Sequence, residues 1–596
     1  MPHAQHLNGR TLIAGCATAP VLYSDVALSF WGGIDPRTGR IVDQHHPLAG
    51  HSVAGKVLAI PDGRGSCTGS VLMLELLMGP HAPAALVLSA TDPILILGVL
   101  VAQALLGRSL PMVQVNARDH AQLANARHLR IQADVPGVCT ALESHPTGAA
   151  SSHAWQLHAS APSPTAVALS AQDHAMLAGK QGPAPALALH TMVQLAGIVG
   201  CEQLIAITRA HVDACIYTGP ASLFFAQHLL RLGARFQVPT TLNAISVDRC
   251  GWRTQGVPAD LATPPDTLAQ CYMDMGATTS YTCAPYHLPA PPQLGEHIAW
   301  AESNAAVYAN SVLGAKTAKY PDFLEVMAGL TGRSLAFGPH LDSERQPQVC
   351  IQVRPPVAQP IDTDFFALAG YACGLQAGRR VAWVQGLESL PHTEDDLRSF
   401  CAAFATTSAS PLVHIAGCTP EARLGIVRPL VDLPSTLVDS RTLLHAWYDL
   451  NTVTSAQVDL VAIGNPHASL QEVAHIAQLC AGKRKAPGVH VMVTTSRHVA
   501  HAAAEAGHLA TLEDFGVQVL QDICWCMVQE PLLPPSAQQL LTSSAKYAHY
   551  AGGLVGRPIR LASLSTCIQA AQTGLLTNAP PAWLSPPVPE PTFNCL

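Results

Sequence analysis

Apolar residues recur along this chain in two patterns. Short, nearly continuous runs such as QLIAIT (203–208), VDLVAIGNP (458–466), GVHVMVTTS (488–496) and VQVLQDI (517–523) have the length of buried strands, and most close on Gly, Asn, Ser or Thr. Runs with helical spacing follow them, as in SLQEVAHIAQLCAG (469–482). Strands apolar on both faces and alternating with helices predict an α/β protein with mainly parallel sheets. The alternation starts early. KVLAIPD (56–62), a Gly-rich loop and VLMLELLMG (71–79) predict strand, loop and helix, and AALVLSA (84–90), MVQV (112–115) and HLRIQAD (128–134) predict further short strands. The most apolar stretch, 85–107, holds Thr91, Asp92 and Pro93, which split it into a strand and a helix. It therefore lacks the roughly 20 unbroken apolar residues of a membrane span.

These patterns divide the chain into a small domain (1–143), a Ser-, Ala- and Pro-rich linker (144–165), a large multi-layer α/β domain (166–575) and a Pro-rich tail (576–596), extended or disordered. With 596 residues, 48% hydrophobic and 12% charged, the chain can bury large cores. A net charge of -7 argues against nucleic acid or an anionic membrane as main partner. We expect a small-molecule substrate and a monomer. The start has no basic segment leading into a long apolar run, so a cytoplasmic location is expected, with the 17 cysteines reduced and some of them metal-bound.

Several stretches carry candidate chemistry, each beside a plainer reading. GRGSCTGS (63–70) lies between a strand and a helix. Its glycines allow close backbone approach, the helix start attracts anions, Arg64 adds charge and Ser66 a hydroxyl. Read alone, an ordinary strand-to-helix turn is favoured. Cys283 in TTSYTCAPYHLP (278–289) reads first as a buried apolar thiol. Within 295–322, Glu302, Ser303, Asn304, Asn310 and Ser311 must be partly buried together, as a structural network or a substrate site. Thr406, Thr407, Ser408 and Ser410 bind a carboxylate or cap helices, and the cap is favoured. VAIGNPHASLQEV (461–473), with His467, fits a loop at the carboxyl end of a parallel strand, where open α/β sheets bind ligands. Lys546 in LTSSAKYAHY is an anion ligand or an exposed lysine. In DICWCM (522–527), an extended backbone would turn Cys524 and Cys526 to one side and Trp525 to the other. Taken alone, two core thiols remain the simpler account.

Taken together, these blocks resemble the aconitase X family. The 28–70 segment is similar to its small swivel domain. AHVDACIYTGPA, VPTTLNAISVDRCGWR, GEHIAWAESNAAVYANSVLGAKT, FATTSASPLVHIAGCTPEA, GNPHASL and DICWCM resemble its large part, in order along almost the whole chain. The resemblance implies a dehydratase of the aconitase superfamily, with a swivel domain closing over a larger α/β domain. Fused-chain members act on cis-3-hydroxy-L-proline, in hydroxyproline metabolism, and split-chain members on mevalonate 5-phosphate. It further implies an iron–sulfur cluster, expected as 2Fe-2S, with Cys283, Cys524 and Cys526 as ligands and Cys350, Cys373 or Cys418 as replacements for the third. Ser66 is implied as the base and Arg64 as its partner. Gly65, Ser303, Asn304, Thr407, Ser408, His467 and Lys546 are the expected substrate contacts. A non-catalytic small-molecule binding protein on the same fold is the competing class.

Overall fold

The computed structural model describes residues 6–43, 46–64, 66–134, 155–160, 166–356, 361–451, 453 and 455–584. The chain separates into two compact units, Met1–Ala306 with Ala315–Glu344, and Val307–Gly314 with Arg345–Leu596.

The first unit begins with a closed barrel. Its strands run His6–Ile13, Trp155–Ser160, His128–Ala133, Gly15–Tyr23, Val57–Ile60, Ala85–Leu88 and Met112–Gln114, the last pairing back onto the first. Val57–Ile60 and Ala85–Leu88 are buried along their whole length, as strands packed on both faces must be. The helix Gly69–Met78 connects the two, and Pro93–Leu106 leads on to Met112–Gln114. The 85–107 stretch divides as its sequence predicts: Asp92 caps the second helix by accepting the Ile94 and Leu95 N–H groups, and Pro93 takes the first helical position. Among the described residues, no helix is long and apolar enough to cross a membrane.

The expected linker is corrected at Trp155–Ser160. This segment is a barrel strand, parallel to both His6–Ile13 and His128–Ala133. Leu157 and Ala159 enter the barrel core while His158 and Ser160 face out. The rest of 144–165 lies outside the described residues.

The remainder of the first unit surrounds a three-stranded parallel sheet in the order Thr240–Leu242, Ala210–Val212, Ala299–Trp300. One continuous hydrophobic core runs from the barrel's helices into this part, from Leu12 to Ala336. Glu75, on the helix Gly69–Met78, accepts the Ala221 N–H at 2.7 Å at the start of the helix Pro220–Arg231. Such a carboxylate satisfies a free helix-end donor and opposes the helix dipole.

The second unit contains two all-parallel sheets. One runs Val413–Ile415, Ala382–Gln385, Val349–Val353, Ser435–Val438. The other runs Val517–Gln521, His490–Thr495, Leu460–Ala468, Leu540–Thr542, Ile559–Leu561. In the second sheet the chain builds outward from Leu460–Ala468 in one direction, then crosses to the other side at Leu540–Thr542. That crossing makes a switch point, where the loops after two neighbouring strands diverge and leave a crevice. The expected extended tail is corrected in its first part. Trp583 is buried, packs edge-on against Phe365 and donates its Nε1–H to Asp364 at 3.0 Å. Residues 585–596 lie outside the described residues.

Candidate functional site

Polar side chains gather at the carboxyl ends of parallel strands in both units. In the first unit, the strands ending at Val212, Leu242 and Trp300 are followed by Asp213, Asn243 and Glu302. Asn243 Nδ2 donates to a carboxylate oxygen of Asp213 and, at 3.1 Å, to Glu302 Oε2. Glu302 Oε1 in turn accepts Asn304 Nδ2 at 2.6 Å. Asn304 also donates to the Cys283 carbonyl at 3.2 Å and accepts from the Tyr286 hydroxyl at 3.1 Å. Its side chain thus holds the Cys283 loop in place, a structural role where substrate contact was expected. Cys283 itself is buried.

The Gly-rich loop docks on this edge. Gly63 N–H donates to Asp92 Oδ2 at 2.7 Å, and a Cβ at Gly63 would lie 2.4 Å from that oxygen, so glycine is required for the approach. Ser66 Oγ accepts the Thr68 N–H at 3.3 Å and shares a hydrogen bond with Thr68 Oγ1 at 3.0 Å, just before the helix Gly69–Met78. Helix-end donors placed around an oxygen favour its anionic form. Arg64 is half-exposed and pairs with Asp43 at 2.7 Å, which offsets the charge expected to act on Ser66. Ser303 reaches Cys67 Sγ at 3.5 Å. Gly65 lies outside the described residues.

In the second unit the thiols of DICWCM converge. The strand ends at Gln521, and Asp522 takes a left-handed conformation (φ 68) held by a two-point ion pair with Arg497, at 2.5 and 2.7 Å. Cys524 is extended, but Trp525–Met527 form a 3-10 turn, which corrects the expectation of an extended backbone throughout. Trp525 is fully buried against Tyr547 and donates to the Ile463 carbonyl at 2.7 Å. Asn465 Nδ2 then donates to Cys524 Sγ and to Cys526 Sγ, at 3.4 Å each. The adjoining Cys524 thiol first, then burial, push the Cys526 thiol well above its usual pKa, while Lys546 acts in the opposite direction. Two neighbouring thiols with one amide donor on both sulfurs form a donor set suited to a thiophilic metal centre.

Asn465 was not singled out from sequence, where His467 was the choice. His467 Nε2 instead hydrogen-bonds the Ile523 carbonyl at 2.9 Å, bracing the residue before Cys524. Buried Arg398 holds the Pro466 and His467 carbonyls at 3.2 and 2.7 Å and pairs with Glu472 at 2.6 Å. A small cleft of about 20 Å³ opens at the switch point, lined by Arg398, Asn465, Glu472, Ser543, Ser544 and Lys546 among others.

The hydroxyls of 406–410 cap and tie backbone. Thr407 Oγ1 donates to the Tyr371 carbonyl at 2.9 Å and Ser408 Oγ to the Gly378 carbonyl at 2.8 Å. Asn310 and Ser311 are likewise engaged, with the Pro411 carbonyl at 2.9 Å and the Val413 N–H at 3.0 Å. Cys373 is fully buried, and burial alone pushes its thiol far up, as fits a core residue.

Four family descriptions match this chain. These are the aconitase X swivel domain over 6–139, first domain over 166–343, second domain over 347–433 and third domain over 458–573. The chain belongs to the aconitase X family. It is 46% identical to the cis-3-hydroxy-L-proline dehydratase of Pseudomonas aeruginosa, over 98% of this chain and 100% of that one. It is 42% identical to the enzyme of the same name from Hypocrea jecorina, over 99% of both. The crystal structure of holo-form aconitase X from Thermococcus kodakaraensis aligns with a TM-score of 0.61 and 29% identity, covering 68% of this chain and 100% of that one.

Proposed function

We propose that this protein is a cis-3-hydroxy-L-proline dehydratase, with Ser66 as the base and a cysteine-held iron–sulfur cluster. Near-full-length similarity to two such dehydratases supports the substrate. The observation that carries the mechanism is the placement of Ser66 Oγ against the Thr68 N–H and hydroxyl.

Dehydration removes the proton on C2 and the hydroxyl on C3, releasing water and an enamine that tautomerises to Δ1-pyrroline-2-carboxylate. Ser66, with its own hydroxyl proton lost, takes the C2 proton. The Thr68 donors lower the cost of the anionic oxygen. Lys546 and the Ser543 and Ser544 segment supply a positive, hydrogen-bonding wall for the substrate carboxylate. An iron–sulfur cluster, when bound, supplies a Lewis acid for the departing hydroxyl. Cys524 and Cys526 would hold it as a pair, and Cys283 keeps its place as a third ligand on the family resemblance alone.

The test is turnover of cis-3-hydroxy-L-proline by anaerobically purified protein, beside mevalonate 5-phosphate, with iron and sulfide measured on the same sample. Turnover of the first substrate by iron-containing protein supports the proposal. Turnover of the phosphate ester instead moves the reaction to another hydroxy acid. Binding without turnover leaves a binding protein, and full activity without iron removes the cluster.

A further inference from the structure

A second donor cluster lies one residue beyond Ser66. Cys67 Sγ, an Asp213 carboxylate oxygen and an Asp322 carboxylate oxygen all lie within 4.8 Å of one another. None of the three residues is more than 2% exposed. They come from separate parts of the first unit: the turn before the helix Gly69–Met78, the carboxyl end of the strand Ala210–Val212, and the turn before the helix Leu324–Thr331. Backbone contacts fix them together, since Asp322 N–H donates to the Cys67 carbonyl at 3.3 Å and Ser70 Oγ to the Asp322 carbonyl at 2.9 Å.

The cluster has too much acid for its donors. No hydrogen bond of good geometry reaches either buried carboxylate oxygen of Asp322, although the Thr68 and Asp213 side chains act on it, and Glu325 Oε2 is likewise unpartnered. Burial first, then the Asp213 and Glu325 charges, push the Asp322 carboxyl well above the usual range. An unpaired buried carboxylate is strongly disfavoured, so the group needs a proton or a cation. One thiol and two carboxylates fit a borderline divalent ion better than a hard one, because thiolate selects zinc-like metals over magnesium or calcium. Glu325 Oε1 accepts the Asp213 and Ala214 N–H groups at 3.2 and 3.0 Å, fixing the residue that would supply one ligand.

We propose that Cys67, Asp213 and Asp322 bind a divalent cation of the zinc class, which fastens the loop carrying Ser66 to the carboxyl edge of the 210–300 sheet. The site uses none of the cysteines assigned to the iron–sulfur cluster, so it stands or falls apart from that assignment. Metal-stripped protein is titrated anaerobically with Zn2+ against a chromophoric chelator, and separately with Co2+. The parent chain should bind an equivalent that Cys67→Ser and Asp322→Asn bind at least about tenfold more weakly and that Cys524→Ala retains. Thiolate-to-cobalt charge-transfer absorption in the Cys524→Ala background should vanish when Cys67→Ser is added. If Cys67→Ser does not fold, Asp322→Asn carries the test, since it keeps the shape and removes a buried charge. Equal zinc binding by the parent and Asp322→Asn overturns the proposal. So does an Asp322→Asn chain whose gain in melting temperature is the same with and without Zn2+, which would mark a proton-sharing acid cluster.

Discussion

Two parallel-sheet edges in this chain share an architecture and differ in chemistry. At the edge formed by strands ending at Val212, Leu242 and Trp300, the side chains that follow are Asp213, Asn243 and Glu302, an oxygen-rich set with one thiol, Cys67, nearby. At the switch point of the 460–561 sheet, the converging groups are two thiols, Cys524 and Cys526, held by the Asn465 amide beside Lys546. Parallel strands bring loops together at their carboxyl ends in both cases. The donors on those loops differ: mostly carboxylates with one thiol at the first edge, and two thiols under an amide at the other.

The largest expected effect separates the two. Cys524→Ala should abolish bound iron and turnover together, read by iron and sulfide analysis, and iron retained in that variant would break the assignment of the sulfur edge. Ser66→Ala should lower kcat by about 10²–10⁴-fold, the range of a lost general base, while keeping iron and fold. A variant that loses both would place Ser66 in folding or assembly instead. Asn465→Ala leaves both thiols but removes their shared donor, so iron should be held roughly 10–100-fold more weakly, as chelator competition would show.

The smallest effect lies outside both edges, at a buried acid of the second unit. Burial pushes Asp364 up to about 7, although Trp583 donates to it. An unfolded aspartate releases its proton near pH 4, so between about pH 4 and 7 the native state binds more protons and stability falls as pH rises. Asp364→Asn should remove that slope and stabilise the chain by about 1–3 kcal/mol at pH 8, measured by urea titration across pH. An unchanged slope would assign the titration elsewhere.

Much of the architecture was legible in the sequence. The split at Thr91–Asp92–Pro93 is written in capping residues, and the strands near 204, 460, 490 and 517 in continuous apolar runs. The strand Trp155–Ser160 was misread because Ser, Ala and Pro around it signalled a linker. Its own W-Q-L-H-A-S alternates apolar and polar, and that period was the better signal. The site was legible only in part. Ser66, Cys524 and Cys526 were singled out by residue type and resemblance, as were Asn304, Thr407, Ser408 and His467, whose side chains hydrogen-bond backbone. Cys67, Asp213, Asn243 and Asp322 were passed over, since no spacing links positions 67, 213, 243 and 322.

The sequence by itself determined the α/β class, the elements and the family, because periodicity, capping and turn chemistry act over a few residues and are read locally. Tertiary structure alone decided which polar groups meet. Strand order brings Asn465 against two thiols some 60 residues downstream, and barrel packing brings Cys67 against Asp322. Each such meeting depends on burial and on what fills the remaining hydrogen-bonding capacity, quantities that exist only once the chain has folded.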